Sequence, residues 1–390
     1  MTSSTQIDVG VYRVPMSAPE DVSGLKTLLE TKQIEAAHIL GIIAQTEGTG
    51  FARGYTSLCM QLLLAEHLNL SPQEVFARIP MMMIGLCGGL MSPHYTVFTR
   101  REIEFAQPVA EEKRLTVGTA NTRALRPEEY GTLTQIELVA AAVKKAIADA
   151  GITDLDDVHC VEVKCPAMTS ARLDDAASRG ELVVSSNLGQ ASSFSKGASA
   201  LGIALALGEV PETKLSDAIV NRDRSLFTKR GSVSAGGEQS ACRILVMGNS
   251  SQSVSRYRVG HSMMVDQLDT AGVYAALSSA GLEASHPLTS EQQGRIVQMF
   301  VNCGADAVGS ERDRRHTIHS DFLAGYAGIV AKAVANAVVA SIVGDPMILA
   351  SAGNEHQGAP GNNLIAAIVE VDAVSYGKAS SDKRSSSQNN

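Results

Sequence analysis

Lys164 and Ser234 are the residues of this chain best suited to covalent chemistry. Lys164 stands near the end of an apolar run, Glu162-Val163-Lys164-Cys165, and Ser234 lies in Gly231-Ser232-Val233-Ser234-Ala235-Gly236-Gly237-Glu238. A serine hydroxyl attacks a carbonyl once a base takes its proton, and lysine is such a base once burial or a neighbouring cation lowers its pKa. Lys196, from the same stretch of chain, is the expected cation. The small residues after Ser234 leave the backbone open to a close ligand. The N–H groups of Ser234 and Ala235 are therefore expected to face a developing oxyanion. The pair reads as a Ser–Lys variant of the nucleophile–base logic of acyl transfer.

The parts of this centre recur along the chain. Apolar runs ending in tiny-residue turns occur at Met81-Met82-Met83-Ile84-Gly85-Leu86-Cys87-Gly88-Gly89, at Gly231–Glu238, and at Ile348-Leu349-Ala350-Ser351-Ala352-Gly353-Asn354-Glu355. Upstream of each lies a helix-opening segment: Phe51-Ala52-Arg53-Gly54, Phe194-Ser195-Lys196-Gly197 and Tyr326-Ala327-Gly328-Ile329. Further upstream are strand-like segments ending in Gln45, Lys164 and Asn302. The order strand, helix, strand in all three implies an internal repeat. If the repeats meet on an axis, three turns converge on one pocket. Only the middle repeat holds both a lysine and a serine; Cys87 and Ser351 have no lysine partner and can only bind or polarise a ligand.

Positioning these groups calls for three α/β units. Polar joints at Glu111–Arg126 and Gly248–Arg258 divide the chain into units over 1–107, 112–250 and 255–373. The Ser- and Asn-rich tail, 374–390, lacks the apolar side chains to pack and is expected to be disordered. The composition, 44% hydrophobic and 19% charged, suits a buried core in each unit. A net charge of −8 supplies no basic excess for nucleic-acid phosphates, and the absence of Trp argues against stacking platforms. The six cysteines contain no CxxC, so reduced thiols in a cytoplasmic protein are expected. The polar stretch 1–10 leads to the expectation of no secretory signal, and the apolar run 327–343 is broken by Lys332 and Asn336, which favours a buried helix over a membrane span. His316 and His319 are three apart rather than the four of a helical zinc pair and read as surface or capping residues.

Taken together, these motifs resemble the cyanuric acid amidohydrolase and barbiturase family of ring-opening amidohydrolases. The run Ser351-Ala352-Gly353-Asn354-Glu355-His356-Gln357-Gly358-Ala359-Pro360-Gly361 is similar to that family's S-[AG]-G-x-E-H-Q-G-P-P-G motif. Thr46-Glu47-Gly48, Leu90-Met91-Ser92-Pro93-His94, Gly197-Ala198-Ser199-Ala200-Leu201-Gly202 and Arg314-Arg315-His316-Thr317 add to the likeness, in order along most of the chain. The resemblance implies an α/β fold of three related repeats about a pseudo-threefold axis, a triangular prism of the "Toblerone" type, with the active site at its centre. It implies hydrolysis of a cyclic amide or imide with Ser234 as nucleophile and Lys164 as base. It also implies homotetramers and no organic cofactor, while the charge and the interrupted apolar run lead to the expectation of no nucleic-acid or membrane partner.

The family places a Lys, an Arg and a Ser in each repeat. On that pattern the substrate would meet Gln45, Arg53, Cys87 and Gly88 in the first repeat, and Lys196 and Ala235 in the second. In the third it would meet Asn302, Ser351 and Ala352, with Gly328 where the arginine belongs. A site missing one cationic grip, and with Lys for Arg in another, would favour a ring less symmetric than cyanuric acid, with one apolar edge. A structural divalent cation, Mg or Ca, would be held by backbone carbonyls near Asn354, Gln357, Gly358, Ala359 and Asn362. Two other readings are a family member that binds a ring without turning it over, and a lactone-opening or acyl-transfer enzyme on the same dyad.

Overall fold

The computed structural model describes residues 4–48, 50–105 and 112–371; the tail expected at 374–390 lies outside them. The chain builds three four-stranded sheets. The first contains β1 (Ser4–Pro15), β2 (Ile39–Gln45), β3 (Met81–Ile84) and β4 (His94–Phe105) in the order β1-β4-β2-β3. The second contains β5 (Arg114–Asn121), β6 (Val158–Pro166), β7 (Gly231–Gly236) and β8 (Arg243–Ser250) in the order β5-β8-β6-β7. In the third, β9 (Tyr257–Met264) and β10 (Ile296–Cys303) precede a two-stranded ribbon, β11 (Ser310–Glu311) and β12 (Arg314–Arg315). The third sheet is completed by β13 (Leu349–Ala352) and β14 (Asn363–Glu370), in the order β9-β14-β10-β13. Written from the first strand of each unit, the three orders are the same. In each, the strand that carries Gln45, Lys164 or Asn302 near its end runs parallel to the short edge strand leading into the turn.

Each sheet is buried on both faces, and strand alternation separates the two. On β2, Ile42 and Ala44 face helices of their own unit, whereas Ile43 joins a core shared by all three sheets. On β6, Val161, Val163 and Cys165 face helices, and Cys160 faces the shared core. On β10, Met299, Val301 and Cys303 face helices, and Phe300 faces the shared core. The same alternation turns Gln45, Lys164 and Asn302 inward at the ends of their strands. The sheets are thus the walls of a prism, and the inward strand ends lie around its axis.

The helices cover the outer faces. In the first unit α1 (Ser23–Glu30), α2 (Gly50–Leu68) and α3 (Pro72–Arg78) do so, with α3 started by a Ser71–Glu74 capping box and Pro72 at its first position. The second unit has α4 (Leu133–Asp149), α5 (Ser170–Ser178) and α6 (Leu188–Ala206); the third has α7 (Thr270–Ser279), α8 (Ser290–Gly294) and α9 (Ala327–Val343). Glycine lets two of these helices approach closely: a Cβ on Gly118 of β5 would lie 2.1 Å from Ala146 O of α4, and one on Gly260 of β9 would lie 2.1 Å from Ala280 N at the end of α7. Among the described residues, Asp321–Val343 is the one helical stretch long and apolar enough to span a membrane. One face of that stretch, with Ala331, Ala335 and Val339, is buried in the third unit's core.

Candidate active site

The three turns and the openings of three helices enclose a cavity of about 280 Å³. Its lining includes Arg53, Lys164, Lys196, Ser234, Lys332 and Ser351, so every unit contributes a polar side chain.

Lys164 is buried at the inward end of β6, directly across the parallel ladder from Ser234. Its Nζ lies 3.1 Å from Ser234 Oγ and 2.6 Å from Met83 O of the first unit. Burial pulls the ammonium down to about 8, and the nearby Arg53 and Lys332 cations add to the fall. Glu238, 3.9 Å away, opposes it. The cation expected to do this was Lys196; the structure instead places Arg53 and Lys332 in that role, because Lys196 Nζ is drawn 2.6 Å from the Glu355 carboxylate of the third unit. Burial alone would raise Glu355, but Lys196 and Ser193 Oγ hold it below its ordinary value. Glu162, two residues before Lys164 on the same inward face, is pushed up to about 8 by burial. At neutral pH it is therefore mostly uncharged and does little to neutralise Lys164.

A wheel of contacts between units shows how the axis is built. Lys164 donates to Met83 O, Gln45 Oε1 accepts from Ala350 N at 2.9 Å, and Ser351 Oγ approaches Val233 O at 3.4 Å. Met83, Val233 and Ala350 hold the same register position, each one residue before the ladder partner of Gln45, Lys164 or Asn302. A second wheel joins helices to turns. Arg53 faces Glu238 at 3.9 Å and Lys196 faces Glu355 at 2.6 Å. In the third position Lys332 Nζ reaches Gly85 O at 2.7 Å. Lys332 is thus the counterpart of Arg53 and Lys196.

Several sequence expectations change in consequence. The third cationic position is filled: it is Lys332, one helical turn beyond Gly328, on the same face of α9. Gly328 lines the cavity without supplying a charge. The cation was missed because its helix-opening segment is displaced by four residues relative to the other repeats. In the first unit the partner of Gln45 in the ladder is Ile84, as Ser234 is of Lys164 and Ser351 of Asn302. The serine-type position of that unit is therefore Ile84 and not Cys87, and the matching turn is Ile84-Gly85-Leu86. Cys87 and Gly88 stand outside the cavity lining; Cys87 packs on the third unit's core and Gly88 against Ile329. Gln45 and Asn302 are fully buried cross-links rather than cavity walls, with Asn302 Nδ2 donating to Gly353 O at 2.8 Å. Ala235 and Ala352 do line the cavity.

The backbone donor can also be refined. Val161 N and Ala167 N donate to Arg230 O and Gly236 O, so this alternating set of β7 amides and carbonyls faces β6. Ser234 belongs to that set, and its N–H is turned into the sheet. Ala235 belongs to the other set, with Val233, whose N–H is met by Gln357 Oε1. Of the two amides expected to face an oxyanion, Ala235 N–H is therefore the one not turned into the sheet.

Three oxygens of the loop expected to hold a divalent cation accept hydrogen bonds within the protein. Asn354 Oδ1 accepts from the Arg224 guanidinium at 2.6 Å, Gln357 Oε1 from Val233 N at 2.5 Å, and Ala359 O from Asn362 N at 2.9 Å. Gly358 N donates to Thr228 O, and the side chain packed against Gly361 is the apolar Val308. Among the described residues no cluster of three or more His, Cys, Asp or Glu side chains could hold a metal ion. All six cysteines are free thiols.

Comparison with known proteins agrees with this architecture. The family described as amidohydrolase ring-opening protein matches residues 10–370. A cyclic amide hydrolase of Azorhizobium caulinodans is 43% identical over 93% of this chain and 100% of its own length. Barbiturase 1 of a Nocardioides species is 36% identical over 93% of this chain and 99% of its own. A solved cyanuric acid hydrolase structure superposes with a TM-score of 0.88 at 39% identity, covering 94% of this chain and 100% of the other.

Proposed function

The chain belongs to the ring-opening amidohydrolase family, hydrolases of cyclic amides, and on that premise we propose that it opens a small cyclic amide or imide with Ser234 as nucleophile and Lys164 as base. The observation that carries the reading is the 3.1 Å approach of Lys164 Nζ to Ser234 Oγ inside the cavity. As an ammonium, Lys164 donates to both Ser234 and Met83 O. As a neutral amine it keeps the bond to Met83 O and presents its lone pair to the hydroxyl.

In the proposed sequence Lys164 takes the Ser234 proton as Oγ bonds to a ring carbonyl carbon. The tetrahedral oxyanion is met by Ala235 N–H, with Arg53 and Lys332 adding positive field. The C–N bond breaks, the leaving nitrogen takes the proton from Lys164, and the opened ring stays attached as an acyl ester. Water, deprotonated by the same lysine, then hydrolyses that ester and restores Ser234. No metal or organic cofactor enters any step. Ser351 and Ala352 bind a second carbonyl. The proposed assembly is a homo-oligomer, and the exposed stripe Phe51, Tyr55, Leu58 and Leu62 on α2 is the face it would cover.

The test is turnover of a panel of cyclic imides, pyrimidines and lactones, read by mass spectrometry of the opened product. Wild type should open a cyclic amide, and Ser234→Ala and Lys164→Met should not. Equal turnover by the Ser234→Ala variant would overturn the assignment. Preferential opening of lactones would move the activity to ester chemistry on the same dyad.

A further inference from the structure

The cavity is not equally polar on its three edges. Two turns present a hydroxyl at the end of the edge strand, Ser234 and Ser351, each followed by an alanine. The third presents Ile84, and Leu86 and Ile329 line the cavity beside it. The strand register makes this a substitution in kind: Ile84 stands opposite Gln45 as Ser234 stands opposite Lys164. Its side chain joins the apolar core shared by the three sheets, which fixes it in place. Ile84 O is also held, by Thr46 N at 2.7 Å and by Gln45 Nε2 at 3.3 Å.

Leu86 carries a second signal. Its φ is 65°, in the left-handed region where a residue with a Cβ is strained and glycine is favoured. A branched side chain kept in that conformation, at the wall of a cavity, points to a use for the side chain. Of the cations nearest this turn, Lys332 donates to Gly85 O, and Arg53 lies 3.9 Å from Glu238. The polar carboxylate found on the other two turns, Glu238 and Glu355, is here Gly88.

We propose that Ile84, Leu86 and Ile329 select a ring with one hydrocarbon edge, a cyclic imide whose two carbonyls meet the Ser234 and Ser351 turns and whose saturated carbons lie on the first unit's turn. The inference rests on the Ser–Lys reading above and adds the substrate class. A carbonyl directed at the Ile84, Leu86 and Ile329 side chains would lose its hydrogen-bond partners on entering the site, whereas methylene carbons gain from leaving water. Opening such a ring breaks one imide C–N bond, adds one water, and yields a half-amide of a dicarboxylic acid. No oxidant or further reactant is needed.

The experiment compares kcat/KM for glutarimide with kcat/KM for barbituric acid and cyanuric acid. Wild type should favour glutarimide by 10-fold or more, on the order expected for matching or mismatching an apolar pocket. Ile84→Ser should lower that ratio at least 10-fold. Leu86→Gly should lower it as well, and it relieves the positive φ, so it reports even if Ile84→Ser fails to fold. A wild type that opens a three-carbonyl ring fastest, or a ratio unmoved by Leu86→Gly, overturns the proposal. If glutarimide or another ring is opened equally well by Ser234→Ala, the catalytic reading fails with it. If Ser234→Ala is inactive on every ring while the three-carbonyl rings are preferred, only the selectivity proposal falls.

Discussion

Glu238→Gln is the most informative perturbation of the proposed base. Glu238 Oε1 lies 3.9 Å from Lys164 Nζ, and it is the anion that holds the Lys164 pKa up against burial. Two unit charges at 3.9 Å interact by about 1 kcal/mol in bulk water and by about 4 kcal/mol at an effective dielectric of about 20. One pKa unit corresponds to about 1.36 kcal/mol, so complete removal of the charge is worth roughly 1–3 units. Glu238 also faces Arg53, which takes up part of its field. Loss of the carboxylate leaves Arg53 unpaired, and that cation pushes Lys164 in the same direction. The base must be neutral to act, so kcat/KM should rise with pH through about 8 in the wild type and then level off. In Glu238→Gln the rise should move down by roughly 1 unit or more. Arg53→Met removes a cation and should move it up. The assay is the pH profile of kcat/KM in low salt, following ring opening. A Glu238→Gln profile that is unmoved, or displaced upward, would refute the placement of Lys164 as the titrating base.

Ser234→Ala should cost on the order of 10³-fold or more in kcat, as for other deleted nucleophiles. Ser351→Ala, which removes one polar contact, should cost about 1–3 kcal/mol in kcat/KM. Cys87 lies outside the cavity and burial pushes its thiol to about 11, so Cys87→Ala should keep most turnover and iodoacetamide at neutral pH should leave activity intact. Gly118→Ala and Gly260→Ala drive a methyl into helix backbone and should each lower stability by about 1–3 kcal/mol in urea unfolding. Chelation with EDTA should leave the melting temperature and kcat/KM unchanged. A loss restored by Mg or Ca would place an ion on the Asn354–Asn362 loop after all.

Reading the dyad in the sequence was possible because its chemistry depends on residue type. A lysine at the end of an apolar strand, and a serine before Ala-Gly-Gly, are visible without coordinates, and so is the threefold recurrence of their surroundings. The sheet plan follows from the same recurrence. Register is different, because one residue's shift in a strand exchanges the inward and outward faces. The tiny residues Cys87-Gly88-Gly89 mimic the turn motif three positions late, and only the pairing of Ile84 with Gln45 shows which residue faces the axis. The same holds for Lys332. A helix carries residues four apart on one face, so the cation could sit at Gly328 or one turn later, and only the packing of α9 brings Lys332 to Gly85 O. Charge neighbours are likewise a tertiary matter. Lys196 is closest to the dyad in chain order, yet the Coulomb field on Lys164 depends on distance in space, where Arg53 and Lys332 come from the other two units. Sequence alone thus singled out the proposed nucleophile, its proposed base and the three repeats. The fold decided which cations tune that base and that one edge of the cavity is hydrocarbon, because both depend on which faces three separate units turn toward a common axis.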